Sequence, residues 1–150
     1  MDRKTKLHMI ITIAMMVFIF VQSALPGDLS GAESGFFVNM LHALTGLDQQ
    51  TLSLLIRKAA HFTEYMILGI LLFINVSDLQ KIQEKKQSAL TALTAWTAAW
   101  TVGTAYAVTD EIHQNFVPGR ACAATDVLID SAGVAAGAAI ALLLTRLKKR

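Results

Sequence analysis

Four apolar stretches, each close to the length that crosses a lipid bilayer, constrain this chain more than any other feature. They are Leu7–Leu25, Ala59–Val76, Ala89–Val108 and Thr125–Thr145. The hydrocarbon core of a bilayer takes roughly 20 helical residues to span. Within it the backbone must satisfy its own hydrogen bonds, which four separate uninterrupted runs achieve as helices. The expected fold is therefore all-α: an integral membrane four-helix bundle, forming a single transmembrane domain over residues 1–150. Composition agrees, because only 16% of the residues are charged and 54% are hydrophobic, where a soluble domain is about one quarter charged. The first stretch has the basic start and the "QSALPG" end of a secretory signal. Its apolar core is long for that and three more stretches follow, so it reads as a retained helix.

The few charges are sorted. Arg3, Lys4 and Lys6 precede the first stretch, Lys81, Lys85 and Lys86 lie between the second and third, and Arg146, Lys148, Lys149 and Arg150 follow the fourth. With four spans these ten of the 13 basic residues fall on one side. The positive-inside rule then predicts a multi-pass cell-membrane protein with both termini and the 77–88 loop in the cytoplasm, its basic runs anchored among anionic lipid heads. A net charge of +2 gives no reason to expect a nucleic-acid partner. The single cysteine, Cys122, excludes an intrachain disulfide,.

Two segments then face outward. In Pro26–Lys58, Phe36, Phe37, Met40, Leu41 and Leu44 recur at helical spacing, as do Leu52, Leu55 and Ile56. This pattern predicts short amphipathic helices on the membrane surface or capping the bundle. "TGLDQQT" reads as the turn between them, with Gly46 as a helix stop. The second segment, Asp110–Ala124, turns at Pro118-Gly119,.

Most of the unusual polar residues collect at that outer rim. Arg57, Lys58, His61 and Glu64 stand at the start of the second span, Asp110, Glu111, His113 and Gln114 at the end of the third, and Asp126 and Asp130 at the start of the fourth. Arg120 lies in the loop between. Arg57, His61 and Glu64 share one helical face, as do Asp126 and Asp130, and Asp110 and Gln114 do so if helix continues that far. Ionisable groups at membrane depth are costly, so they face the interior and find partners. The pattern predicts an outward-facing polar pocket lined by His61, Glu64, Asp110, Glu111, Gln114, Arg120, Asp126 and Asp130. The plainer alternative is a set of structural pairs, Arg120 with Asp126 and His61 with Glu64, that fix helix register. No matching polar set is read on the cytoplasmic half, which argues against a transport path. His8 and His42 stand alone. "GVAAG" (Gly133–Gly137) is a small-residue face for close helix packing within the chain or for homo-oligomerisation.

Together, "RKAAHFTEYMILG" (Arg57–Gly69), "DEIHQNFVPGR" (Asp110–Arg120) and "DVLIDSAGVAAG" (Asp126–Gly137) resemble the ordered motifs of the VanZ-like family of small bacterial membrane proteins. "ALPG" at Ala24–Gly27 resembles the family's pattern at the end of the first span. The resemblance carries over to His61, Glu64, Tyr65, Asp110, Glu111, His113, Gln114, Arg120, Asp126 and Asp130. The family is named for a protein associated with low-level resistance to teicoplanin, a lipid-tailed glycopeptide acting on cell-wall precursors.

These readings favour an outer-leaflet hydrolase or transferase acting on a membrane lipid or lipid-linked envelope precursor. His61, Glu64, Asp110, Glu111, His113, Asp126 and Asp130 are the expected catalytic groups, because neighbouring carboxylates and imidazoles at a partly dry site suit acid/base or nucleophilic work. Arg57, Tyr65, Gln114 and Arg120 are the expected substrate contacts, the arginines for a phosphate or carboxylate. The oxygen and nitrogen donors admit a divalent metal, although no HExxH or Cys/His signature names one. The competing class is a non-catalytic protein that binds a lipid, an antibiotic or an envelope partner through Pro26–Lys58.

Overall fold

A computed structural model describes residues 1–26, 35–83, 89–120 and 122–147. These residues form five helices: α1 (Arg3–Ser23), α2 (Gly35–Thr45), α3 (Gln49–Ile82), α4 (Ala89–Gln114) and α5 (Ala124–Leu147), with no strand among them. Gly27, Lys85, Lys86, Lys148, Lys149 and Arg150, which carried parts of the sequence reading, lie outside the described residues.

Helices α1, α3 and α5 are long and apolar enough to cross a membrane. α4, diluted by threonine and tryptophan, is as long but does not reach that apolarity. The helix ends also differ from the sequence expectation. α3 begins at Gln49, where the Asp48 side chain accepts the Thr51 N–H at 2.8 Å and so caps the first turn,. Leu52, Leu55 and Ile56 are thus the opening turns of one 34-residue helix and not a separate surface helix. Only the Phe36–Leu44 pattern forms a short helix of its own, α2, and Gly46 follows it at φ 70°, a conformation that favours glycine,. α4 continues to Gln114, so Asp110, Glu111, His113 and Gln114 are helical and lie on its last turns.

The most extensive packing is between α3 and α5, with α4 against both and α1 lying along α3. A seam of glycines lets α3 and α5 approach. A Cβ on Gly133 would strike the Phe62 carbonyl, and one on Gly137 the Met66 carbonyl, so only glycine permits this backbone contact,. The small-residue face therefore packs within the chain. α4 is fixed to α5 by stacked Trp96 and Trp100, which donate to the Ala135 carbonyl at 3.1 Å and to Ser131 Oγ at 2.9 Å. Two apolar clusters fill the remaining space: Ile19, Tyr65, Leu68, Ala107 and Val134 nearer one end, and Phe73, Ala95, Ala99, Ala138 and Ala141 nearer the other.

Burial runs opposite to that of a water-soluble protein. Ile10 is 63% exposed, and Ile13, Val17, Leu143 and Leu144 also face out, while Asp110, Glu111 and Asp130 are buried. Apolar surface outside with polar groups inside is the arrangement that suits lipid surroundings.

The end that carries both chain termini holds a polar network that the sequence reading missed. His8 Nδ1 meets Asp78 Oδ2 at 2.7 Å, Lys81 Nζ donates to Asp78 Oδ1 at 2.8 Å, and Asn75 Nδ2 donates to Thr12 Oγ1 at 2.5 Å. His8 is thus not isolated. Its network ties α1 to α3.

Candidate functional site

The opposite end gathers the ionisable groups. Lys58, His61, Glu64 and Tyr65 stand on successive turns of α3, Asp110, Glu111 and Gln114 on the last turns of α4, and Asp126 and Asp130 on the first turns of α5. α3 and α5 run antiparallel to α4, so the chain order of these groups becomes a common depth. His61 Nδ1 lies 3.8 Å from Asp130 Oδ2. One ligand-type atom each from His61, Asp110 and Asp130 falls within 4.8 Å of the other two.

Around this centre the partners are unequally shared. Asp110 Oδ2 accepts from Ser23 Oγ at 2.7 Å and from Gln114 Nε2 at 3.3 Å. Its other oxygen has no partner, and neither does either oxygen of Asp130, Glu64 Oε2 or the Tyr65 hydroxyl. Buried polar atoms are overwhelmingly hydrogen-bonded in folded proteins; with Arg120 Nη1 and His113 Nδ1, seven unpartnered ones among the described residues lie at this end against one, Asn75 Oδ1, at the other, a concentrated exception. Asp130 is 1% exposed and Asp110 2%. A narrow cleft lined by Arg57, Lys58, His61, Gln114, Asp126 and Ile129 reaches Asp130.

Several expected residues take quieter roles. Asp126 pairs with Lys58 and not with Arg120, because the longer α3 brings Lys58 alongside the start of α5. Glu111 Oε1 accepts the Ala123 N–H at 2.6 Å, holding the chain where α5 begins. Arg120 donates from Nε to the Leu25 carbonyl at 2.9 Å and from Nη2 to the Gln22 carbonyl at 3.2 Å, strapping the loop over the end of α1. These carbonyls lie at and just beyond the end of α1, where the intrahelical donors run out,. Arg120 Nη1 remains buried and free of partners. Burial and then the neighbouring Arg57 pull the Arg120 guanidinium below its ordinary value, against Asp110, Glu111 and Glu64; a guanidinium nevertheless stays charged. His61 lies against Asp130, and His61 and Glu64 form no ion pair. His113 stands apart: its ring stacks on Phe20 with centroids 4.4 Å apart. Gly119 takes φ 75° in the turn that returns the chain to α5.

Sequence reasoning missed Ser23 as part of this end, and it placed Lys58 at this rim without its pairing to Asp126. Lys58 was legible as the residue one turn before His61. Ser23 had no signal beyond its place just ahead of "ALPG".

An all-helical protein with apolar flanks and a buried polar cluster at one end defines a small class of membrane proteins. The VanZ/LLP1 family model matches residues 8–145, and the chain belongs to that family. Neither a curated protein nor a solved structure matches it.

Proposed function

We propose that the chain crosses the membrane four times, with α4 as the additional span and both termini in the cytoplasm. In this reading its polar cluster acts at the outer leaflet on the head group of a lipid-linked envelope substrate, by hydrolysis or group transfer. The distribution of Lys and Arg supports the orientation. α4 needs no strongly lipophilic surface, because it is held by both α3 and α5.

The observation that carries the catalytic reading is the set of unpaired atoms on Glu64, Tyr65, Asp110 and Asp130, of which Asp130 lines a cleft together with His61 and Arg57. A scaffold gains nothing from desolvated carboxylates without partners, whereas an incoming polar group satisfies them. Glu64, partly accessible with one oxygen free, is the acid/base group,. His61, Asp110 and Asp130 hold the reacting centre. Arg57 at the cleft and the free Nη1 of Arg120 receive an anionic group. Glu111 and Asp126 serve as positioning residues through Ala123 and Lys58. An amphiphilic substrate is supported by an open apolar groove along α4 from Trp100 to Val108. The floor of this groove meets Ser131, the chain neighbour of Asp130.

Mass spectrometry of total envelope lipids tests this in matched cells that lack the protein, express it, or express Glu64→Gln at equal membrane level. A lipid species that changes with the wild type alone is the expected result. Three identical profiles refute catalysis on envelope lipids. They favour the second reading, a non-catalytic protein that binds a lipid, a lipid-tailed glycopeptide such as teicoplanin, or an envelope partner. The exposed Phe36, Phe37 and Leu44 of α2 supply an apolar surface for that role.

A further inference from the structure

We propose that His61, Asp110 and Asp130 form a binding site for one divalent transition-metal ion, Zn2+ or Mn2+. The three residues come from three different helices, yet one donor atom from each lies within 4.8 Å of the others. Ligands about 2.0–2.2 Å from a shared ion stand roughly 3–4 Å apart. His61 and Asp130 already do so at 3.8 Å, and drawing the set in from 4.8 Å takes side-chain shifts of about 1 Å,.

Two features point to a cation specifically. Asp130 is 1% exposed with neither oxygen hydrogen-bonded, and Asp110, 2% exposed and in the same group, has one oxygen without a partner. No basic side chain among the described residues forms a salt bridge with Asp110, and Asp130 has only the imidazole of His61 nearby. Lys58 is taken by Asp126, and Arg120 is committed to backbone carbonyls. Two carboxylates and a neutral imidazole around a divalent ion carry no net charge, which removes the cost of burying the carboxylates among apolar helices.

The donors also select the ion. One imidazole nitrogen with two carboxylate oxygens suits Zn2+ or Mn2+, whereas Ca2+ and Mg2+ favour all-oxygen sets. Ser23 and Gln114 fix Asp110 through its other oxygen, as groups behind a metal ligand commonly do,. Three protein ligands would leave a coordination position open, the arrangement of a catalytic and not a purely structural ion, and two of them, His61 and Asp130, also line the cleft.

The inference rests on the reading of this cluster as a binding site but not on the substrate. Metal is measured on purified protein, and lipid turnover in cells, so failure of one leaves the other standing. The full chain is purified in lipid nanodiscs without chelator and its metal content is measured. It is then stripped and titrated with Zn2+, Mn2+ and Mg2+ while thermal unfolding is followed. The expected results are about one transition-metal ion per chain, a rise in Tm with Zn2+ or Mn2+, and affinity weakened at least about tenfold in Asp110→Asn and Asp130→Asn. Asp78→Asn, at the other end, is expected to titrate like the wild type. The inference is overturned if stripped wild type responds to none of these ions or to Mg2+ alone, or if both Asp variants bind as the wild type does. Should the Asp variants be poorly recovered, the wild-type titration and His61→Gln decide the matter alone.

Discussion

The two ends of the bundle use polar residues in opposite ways. At the terminal end both Asp78 oxygens are engaged, one by His8 at 2.7 Å and the other by Lys81 at 2.8 Å, and Asn75 donates to Thr12, leaving only Asn75 Oδ1 without a partner among the described residues there. At the other end Asp130 has no hydrogen bond at all, and Asp110 and Glu64 each have an open oxygen. The first arrangement is what helix attachment requires. Paired groups join α1 to α3, and such interhelical contacts contribute about 0.6 kcal/mol on average within membranes. The second arrangement leaves donors and acceptors waiting for something not supplied by the fold. The difference teaches that polarity among apolar helices does not mark a site. A cluster of buried carboxylate oxygens without hydrogen bonds does.

The comparison breaks most visibly in activity. Glu64→Gln is expected to lower turnover of the affected lipid by about 100-fold or more, with membrane levels unchanged. Asp78→Asn is expected to leave turnover intact. Equal losses in both would erase the distinction between the ends.

The next effect is on the strap. Arg120→Ala removes charged donors from the Leu25 and Gln22 carbonyls and is expected to destabilise the protein by about 1.5–3 kcal/mol, read as a lower Tm in nanodiscs. Arg120 thus belongs partly to the paired class, although it lies at the unpaired end. An unchanged Tm would return it wholly to substrate binding.

Gly137→Val tests the seam that both ends share. Its side chain meets the Met66 backbone and is expected to force α3 from α5 at a cost of about 1–3 kcal/mol. It should weaken activity too, because His61 and Asp130 face each other across that seam. A variant with lowered Tm but full activity would show that the site tolerates a wider gap. The smallest effect belongs to Asp78→Asn itself, about 1 kcal/mol in thermal unfolding.

Much of this was legible in the sequence, and the misses have physical causes. The helical spacing of Arg57, His61 and Glu64 and of Asp126 and Asp130 placed the cluster at one depth, since antiparallel helices convert order along the chain into depth. Pairing was not legible. Whether Asp126 meets Arg120 or Lys58 depends on where α3 starts, and that is set by the Asp48 cap, eleven residues before the apolar run the sequence reading took as the span. Likewise His8 and Thr12, four apart on α1, and Asn75 and Asp78, three apart on α3, carry a pattern as clear as that of the site. They were passed over because neither pair includes more than one ionisable residue. α4 shows the limit of counting apolar stretches: its Ala/Thr-rich surface is shaped by packing on α3 and α5, and composition alone does not separate that from a lipid-facing span.

The most direct test of the contrast is the thermal stability of chelator-treated Asp130→Asn beside Asp78→Asn, both in nanodiscs at one pH and salt. A buried carboxylate with no hydrogen bond, faced only by the His61 imidazole at 3.8 Å, destabilises the fold it sits in, so a neutral side chain of the same size relieves it,. The account predicts that Asp130→Asn unfolds at or above the wild-type Tm while Asp78→Asn unfolds below it. A fall in Tm for Asp130→Asn as large as that for Asp78→Asn would contradict it, and would make Asp130 a structural residue.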